Sequence, residues 1–337
     1  MRFSKEESGQ DRREFLTWAG VCASQWVVLS TFGPRVALAE GPRKVAAEEP
    51  WARIEELDEG IWAVVSTPLA ARDFTTICNG GIIAGDDRVL VVESFGSPAG
   101  AKWVADQTEK LTGRRPTDIV ITHFHGDHAN GIEGFHSDIG GKNTEISNTR
   151  QPRIWRTAKT LELIEQTDSE RKVEASQIRK EMLDSGPTLH KSEIITIDLG
   201  GRSVKIHPRV GHTPSDVTVE IESPAISFCG DLVWNGFFPN YRDTLPSEFS
   251  KSLRALRRDS STLYVSGHGP ISDLATVDLL IEITDNIGEF SQRAHAKGTP
   301  VADAAKAYKL PDSAESWVLF SPNYFEVAIG AWYKELG

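Results

Sequence analysis

Cysteine is scarce, three in 337 residues, which excludes a disulfide framework. Cys22 falls in a segment that reads as a removable leader, so only Cys78 and Cys229 remain, enough for one bridge at most. Positive charge is in deficit. The 37 Lys and Arg stand against 48 Asp and Glu, a formal net charge of −11, and no basic, aromatic-interleaved cluster offsets it. That argues against nucleic-acid partners, which need a basic face. Long apolar runs are missing too. The run from Trp18 to Phe32 carries Ser and Gln and is about 15 residues, short of the ~20 that span a bilayer. No repeat and no low-complexity tract interrupts the chain. What remains is ordinary globular composition, 39% hydrophobic and 25% charged, with a core to bury.

The first 39 residues read as a targeting segment. Asp-Arg-Arg-Glu-Phe-Leu-Thr (11–17) has the twin-arginine export pattern, with Arg12 and Arg13 as the pair. The mild apolar run follows, then Ala37-Leu38-Ala39, a small-residue cleavage site. The expectation is a chain starting near Glu40, carried by the twin-arginine export machinery to the periplasm or otherwise exported. Such cargo travels folded, which suits a protein that loads metal in the cytoplasm.

Residues 40–50 read as a polar linker. Tight turns then join paired strands: 53–57 with 61–66, 75–84 with 89–93, 193–197 with 203–207, and 216–221 with 225–229. Such turns mean antiparallel pairing. Residues 98–112 have helical spacing and stop at Gly113; 157–183 is a charged helical stretch, a solvated face or a lid. Residues 137–151 read as a loop and 249–257 as a helix. The tail is helical over 271–295, 301–308 and 322–335. Two mixed sheets face to face with helices outside, an α/β fold of αββα type, is the layering that buries this order. The domain is expected over 51–275, with 276–337 a helical extension packed on it.

Seven metal-ligand types stand along this frame: His123, His125, Asp127, His128, His212, Asp231 and His268. The first four occupy one hexapeptide, His-Phe-His-Gly-Asp-His, delivered by the short strand 118–122. Zinc accepts His and Asp alongside Cys. In an extended loop His123 and His125 face one side, and Gly126 lets the chain turn Asp127 and His128 elsewhere. Donors this close but divergent cannot all serve one tetrahedral ion, and they can serve two adjacent ones. Iron or manganese would also take these donors.

The set Thr-His-Phe-His-Gly-Asp-His-Ala-Asn-Gly (122–131), Gly-His-Thr-Pro (211–214), Gly-Asp (230–231) and Gly-His-Gly (267–269) resembles the metallo-β-lactamase fold hydrolases. The resemblance covers roughly residues 51 to 275. It implies His123, His125 and His212 on one metal, Asp127, His128 and His268 on a second, and Asp231 bridging. The two divalent ions, zinc first, would activate a bridging hydroxide against an ester, thioester or lactone of a small-molecule substrate, with Asp127 orienting the nucleophile. An Asp after Gly230 resembles glyoxalase II or arylsulfatase rather than true β-lactamases of this fold. The stretch 230–239 is similar to exported members associated with sulfur oxidation and quinoprotein-dependent pathways. No motif after 275 matches the substrate-binding domain of glyoxalase II. A one-iron persulfide dioxygenase on His123, His212 and Asp231, a sulfatase or phosphodiesterase, and a β-lactamase are the alternatives.

Glu93 stands where the superfamily usually has Asp, and reads equally as an acceptor behind a ligand histidine or as a solvated strand end. Trp234, Phe237 and Phe238 follow Asp231 closely enough to be candidates for a substrate cleft; Tyr241 and Trp317 are weaker ones. Cys229 reads as a small core residue. His136, His190, His207 and His295 lack partners at ligand spacing.

Overall fold

A computed structural model describes residues 43–66, 73–136, 151–190 and 193–337. The leader read over 1–39 and most of the loop read over 137–151 lie outside the described residues. Eight strands form the first sheet in chain order: β1 (Val45–Glu49), β2 (Ala52–Asp58), β3 (Ile61–Ser66), β4 (Gly80–Ala84), β5 (Val89–Val92), β6 (Asp118–Val120), β7 (Arg153–Thr157) and β8 (Thr188–Leu189). Neighbours are antiparallel from β1 to β5 and parallel from β5 to β8. The second sheet holds β9 (Ile195–Asp198), β10 (Ser203–Arg209), β11 (Asp216–Ile221), β12 (Ile226–Trp234) and β13 (Leu263–His268), with β13 parallel to β12 at one edge.

The alternation of β3 shows why the sheets stack. Ile61, Ala63 and Val65 point into an apolar layer shared with Val204, Ile206, Val217, Val219 and Phe228 of the second sheet. Trp62 and Val64 point the other way, toward α1 (Pro98–Thr112) and the pair α3 (Ala158–Glu170) and α4 (Gln177–Asp184). A strand buried on both faces reads as a continuous apolar run. On the far side, α5 (Pro246–Leu256), α6 (Leu274–Ala296), α7 (Val301–Ala307) and α8 (Tyr324–Leu336) share a third apolar cluster with Leu232 and Val233 of β12. The result is the αββα sandwich read from the turns. The helices of the tail pack onto the same body rather than standing apart. No helix among the described residues is long and apolar enough to cross a membrane.

Local chemistry sets the ends. Ser97 caps α1 by accepting from the Gly100 N–H, Pro98 opens it, and Gly113 ends it in the left-handed region at φ 73°. Two segments depart from the sequence reading. The residues read as linker include β1, which pairs antiparallel with β2. It is a sheet edge, and edge strands carry charge, so its composition resembles a linker. The strand read over 75–84 begins only at Gly80. Residues before it leave the sheet: Ile77 has φ 62°, and Asn79 turns to the other sheet. Its side-chain amide donates to the Ser266 and Gly269 carbonyls at 2.9 and 2.7 Å, and its N–H donates to Gly267 O at 2.8 Å.

The charged helical stretch is two helices rather than a wholly solvated face. Ile164, Met182 and Leu183 are buried beneath the first sheet. Buried Arg179 donates to the Ala129 carbonyl at 3.2 Å and ion-pairs with Asp168 at 3.4 Å. The stretch therefore braces the back of the hexapeptide loop.

Candidate metal centre

The hexapeptide leaves the end of β6 as an irregular turn and then winds one turn of helix, α2 (Gly126–Ala129). That turn, rather than a glycine-specific kink, sends Asp127 and His128 away from His123 and His125. His212 comes from the loop between β10 and β11, and His268 ends β13. Asp231 lies inside β12, where the pairing with β13 slips at Gly230. A bulge re-aims a side chain in this way. Gly230 has φ 52°, and a Cβ there would stand 2.5 Å from Thr122 Oγ1. A Cβ on Gly267 would stand 2.0 Å from Asp231 Oδ1. Both glycines are required for Asp231 to sit between the two sheets.

The seven side chains come together in two groups: His123, His125, His212 and Asp231 in one, Asp127, His128 and His268 in the other. In the first, His125 Nδ1 lies 3.1 Å from both His123 Nε2 and His212 Nε2. Asp231 Oδ2 is 3.3 Å from His212 Nε2 and 3.9 Å from His123 Nε2. In the second, Asp127 Oδ2 is 3.2 Å from His268 Nε2 and 3.6 Å from His128 Nε2. The other Asp231 oxygen, Oδ1, reaches this group, 3.1 Å from His128 Nε2 and 3.4 Å from His268 Nε2. One carboxylate thus presents one oxygen to each group.

The donor set fits divalent cations. Imidazole nitrogens converge with carboxylate oxygens, and His128 Nε2 and Asp231 Oδ1 are buried without a hydrogen-bond partner. Buried polar atoms are rarely left so unless something else satisfies them. The outward nitrogens of His123, His125 and His128 are held as those of ligand histidines usually are. His128 Nδ1–H donates to Glu93 Oε1 at 2.9 Å, and His125 Nε2–H donates to Asp243 Oδ2 at 2.9 Å. His123 Nδ1 is 3.0 Å from Thr122 Oγ1, whose hydroxyl donates to Glu93 Oε1 at 2.5 Å. Glu93, buried, thereby stands behind both groups, as an acceptor and not as a solvated strand end.

Charge in this centre is balanced by neighbours. Burial alone would raise the Asp231 carboxyl, but His268, His128 and His212 hold it well below the usual carboxylate range. Burial would likewise raise Asp127, and His128 and His268 hold it low. Burial drives His212 down to about 3 and His123 well below the ordinary imidazole range, so both stay neutral donors. His268 is pushed up to about 9 against its burial by Asp231 and Asp127. A cation entering there displaces a proton. Behind His212, the backbone N–H and hydroxyl of Thr213 donate to Asp216, which burial raises to about 7.

Trp234 is buried with its ring 4.5 Å from that of His268, and its Nε1–H donates to the Asp231 carbonyl at 2.7 Å. Phe238 is fully buried among Tyr241 and Phe325 and belongs to the core rather than to a cleft. Tyr241 is core as well. Phe237 is buried as well, stacked on the half-buried Phe320. His207 faces Glu220 at 3.7 Å and His295 packs on Tyr333, so neither joins the centre. Cys78 and Cys229 are free, buried thiols, with Cys78 pushed up to about 12 by burial. Sequence reasoning missed Asp243 and Phe320. Asp243 lies 118 residues from His125, and no motif marks it. Replacing it with alanine frees the His125 ring. Outer partners of this kind are worth about 10–100-fold in metal affinity, and this carboxylate is 37% exposed. A loss near the lower end, about tenfold, is expected in a competitive metal titration.

A family profile described as the metallo-beta-lactamase superfamily matches residues 74–268. A metallo-beta-lactamase type 2 from Bacillus cereus is 26% identical over 238 residues, covering 67% of this chain and 82% of that protein. Among solved structures, a metallo-beta-lactamase from Erythrobacter litoralis aligns with TM-score 0.55 at 16% identity, over 72% of this chain and 99% of that one. A sec-alkylsulfatase from Pseudomonas sp. aligns with TM-score 0.63 at 13% identity, over 84% of this chain and 50% of that one.

Proposed function

This chain belongs to the metallo-beta-lactamase superfamily, and on that premise we propose that it is an exported, dinuclear, metal-dependent hydrolase of an ester, thioester or lactone. One observation carries the reading: Asp231 turns one oxygen to each of two histidine-rich groups. His123, His125 and His212 would hold one ion, Asp127, His128 and His268 the other, and Asp231 both. Zinc is the first candidate for these donors. A divalent pair supplies Lewis acidity and water activated near neutral pH.

The protein's own groups do the rest. Neutral His123 and His212 need shed no proton to act as donors. Asp127 has the most exposed carboxylate of the set at 28% and remains ionised. It faces arriving water and accepts its hydrogen bond. Trp234 walls His268 from solvent. No serine nucleophile is required, and Ser266 beside His268 donates its hydroxyl to the Pro270 carbonyl. Arg12-Arg13 and Ala37-Leu38-Ala39 support export to the periplasm.

Elemental analysis of the purified protein, with a panel of thioester, lactone, carboxylic ester, β-lactam and sulfate ester, tests this. The expected result is about two divalent ions per chain and turnover of a carbonyl ester class that a chelator abolishes. One iron per chain with oxygen consumption, or metal binding with no turnover of any panel member, overturns it.

A further inference from the structure

The tail of the chain contributes to the mouth of the metal centre. Residues after the Asp312–Ala314 turn run beside the loop that follows β12. Phe238 N–H donates to Val318 O, and Val318 N–H donates to Gly236 O, both at 2.9 Å. A parallel bridge joins Phe237 and Val318. This pairing sets the Phe320 ring 4.6 Å from Phe237, their planes within 3°. The same ring packs edge-on to His268 at 5.6 Å and lies 5.8 Å from Trp234. His268 is in turn 3.2 Å from Asp127, the ligand most open to solvent.

We infer that Phe320, backed by the buried rings of Phe237 and Trp234, forms the subsite for an apolar alkyl or aryl portion of the substrate, beside the Asp127–His128–His268 group. Two aromatic rings, Trp234 and Phe320, meet one ligand histidine, and Phe320 keeps part of its surface exposed while Trp234 and Phe237 are buried behind it. At Gly236, in the same loop, the chain has φ 77° and a Cβ would meet nothing within 4 Å. Apolar walls with a few convergent polar groups are how small-molecule sites bind. On the hydrolase reading, on which this rests, the substrate is an ester, thioester or lactone bearing such a group, not a small polar acyl compound.

Binding of unbranched alkyl hydroxamic acids, from two to eight carbons, tests the subsite apart from turnover. The readout is the slope of affinity with chain length, measured by calorimetry on the chain with and without added zinc. Burial of a methylene predicts about fourfold per carbon over the first additions. Phe320→Ala flattens that slope with metal content kept. Phe320→Leu, which fills more of the same space, keeps most of it, and Phe237→Ala lowers it. A flat slope in the wild-type chain, or a full slope in a folded Phe320→Ala chain, overturns the inference. Turnover of small esters with a flat slope leaves the hydrolase reading standing and removes the subsite. A steep slope lost in Phe320→Ala without any turnover does the reverse.

Discussion

Asp231→Ala is expected to cost the protein most of its bound metal and at least about a thousandfold in turnover. Even partners behind a ligand are worth about 10–100-fold, and this carboxylate touches both groups directly. Its Oδ2 faces His212 Nε2 at 3.3 Å and its Oδ1 faces His128 Nε2 at 3.1 Å. It is 4% exposed, so no solvent replaces it. Its loss also removes one of the negative charges beside His128 and His268, leaving Asp127 near both and Glu93 on His128. Removing one member of a buried ion pair typically destabilises by about 3–5 kcal/mol, so a lower melting temperature accompanies the loss. Asp231→Asn keeps the shape and drops the charge, and falls between. Metal content by elemental analysis and turnover on the best panel substrate decide the matter. Wild-type values of both in Asp231→Ala would remove the shared carboxylate from the mechanism.

The second large effect falls on Glu93. Its carboxylate accepts from His128 Nδ1 and from the Thr122 hydroxyl, and Thr122 in turn meets His123. One side chain therefore orients a histidine of each group. Glu93→Ala should weaken metal binding by about 100-fold, the upper end for an outer partner, because it acts twice. Glu93→Gln keeps a neutral acceptor and should lose about tenfold. The backbone offers a control. Glu93 has φ 80°, a region where non-glycine residues are strained. Glu93→Gly relieves that strain and still removes the carboxylate. A competitive zinc titration should find it as weak as Glu93→Ala although its backbone is more relaxed. Recovery of wild-type affinity in the glycine variant would mean that the conformation, not the carboxylate, sets the geometry.

How much of this could be read in the sequence depends on how far apart the partners lie. The hexapeptide is local, and a strand aimed straight into it could be seen as such. Tight turns betrayed the antiparallel pairs, and layering followed from them. The other ligands each sit in a short glycine-flanked motif. What stayed hidden depends on packing between distant segments. Asp243 and Phe320 belong to no motif, and their roles exist only once β12, its loop and the tail have come together. Glu93 could be placed at a strand end but not told from a solvated one, because its partners at 122 and 128 arrive from another strand. Phe238 looked like its neighbour Phe237 in sequence, and a change in direction along one loop packed Phe238 on Phe325 and Phe237 on Phe320, beside the centre. The edge strand β1 was disguised by the charge that edges carry.

The Asn79 amide draws a different consequence from the fold. It joins residues 187 and 190 positions away, and it does so at the loop that carries His268. The first sheet can form with the hexapeptide in place while His212, Asp231 and His268 are still on an undocked second sheet. Contacts of such long sequence separation come late, because loop closure must precede them. Assembly of the centre is then expected late in folding rather than early. In a refolding experiment, backbone signals of either sheet should recover before the Asn79 amide proton, which donates to Gly267 O, gains protection.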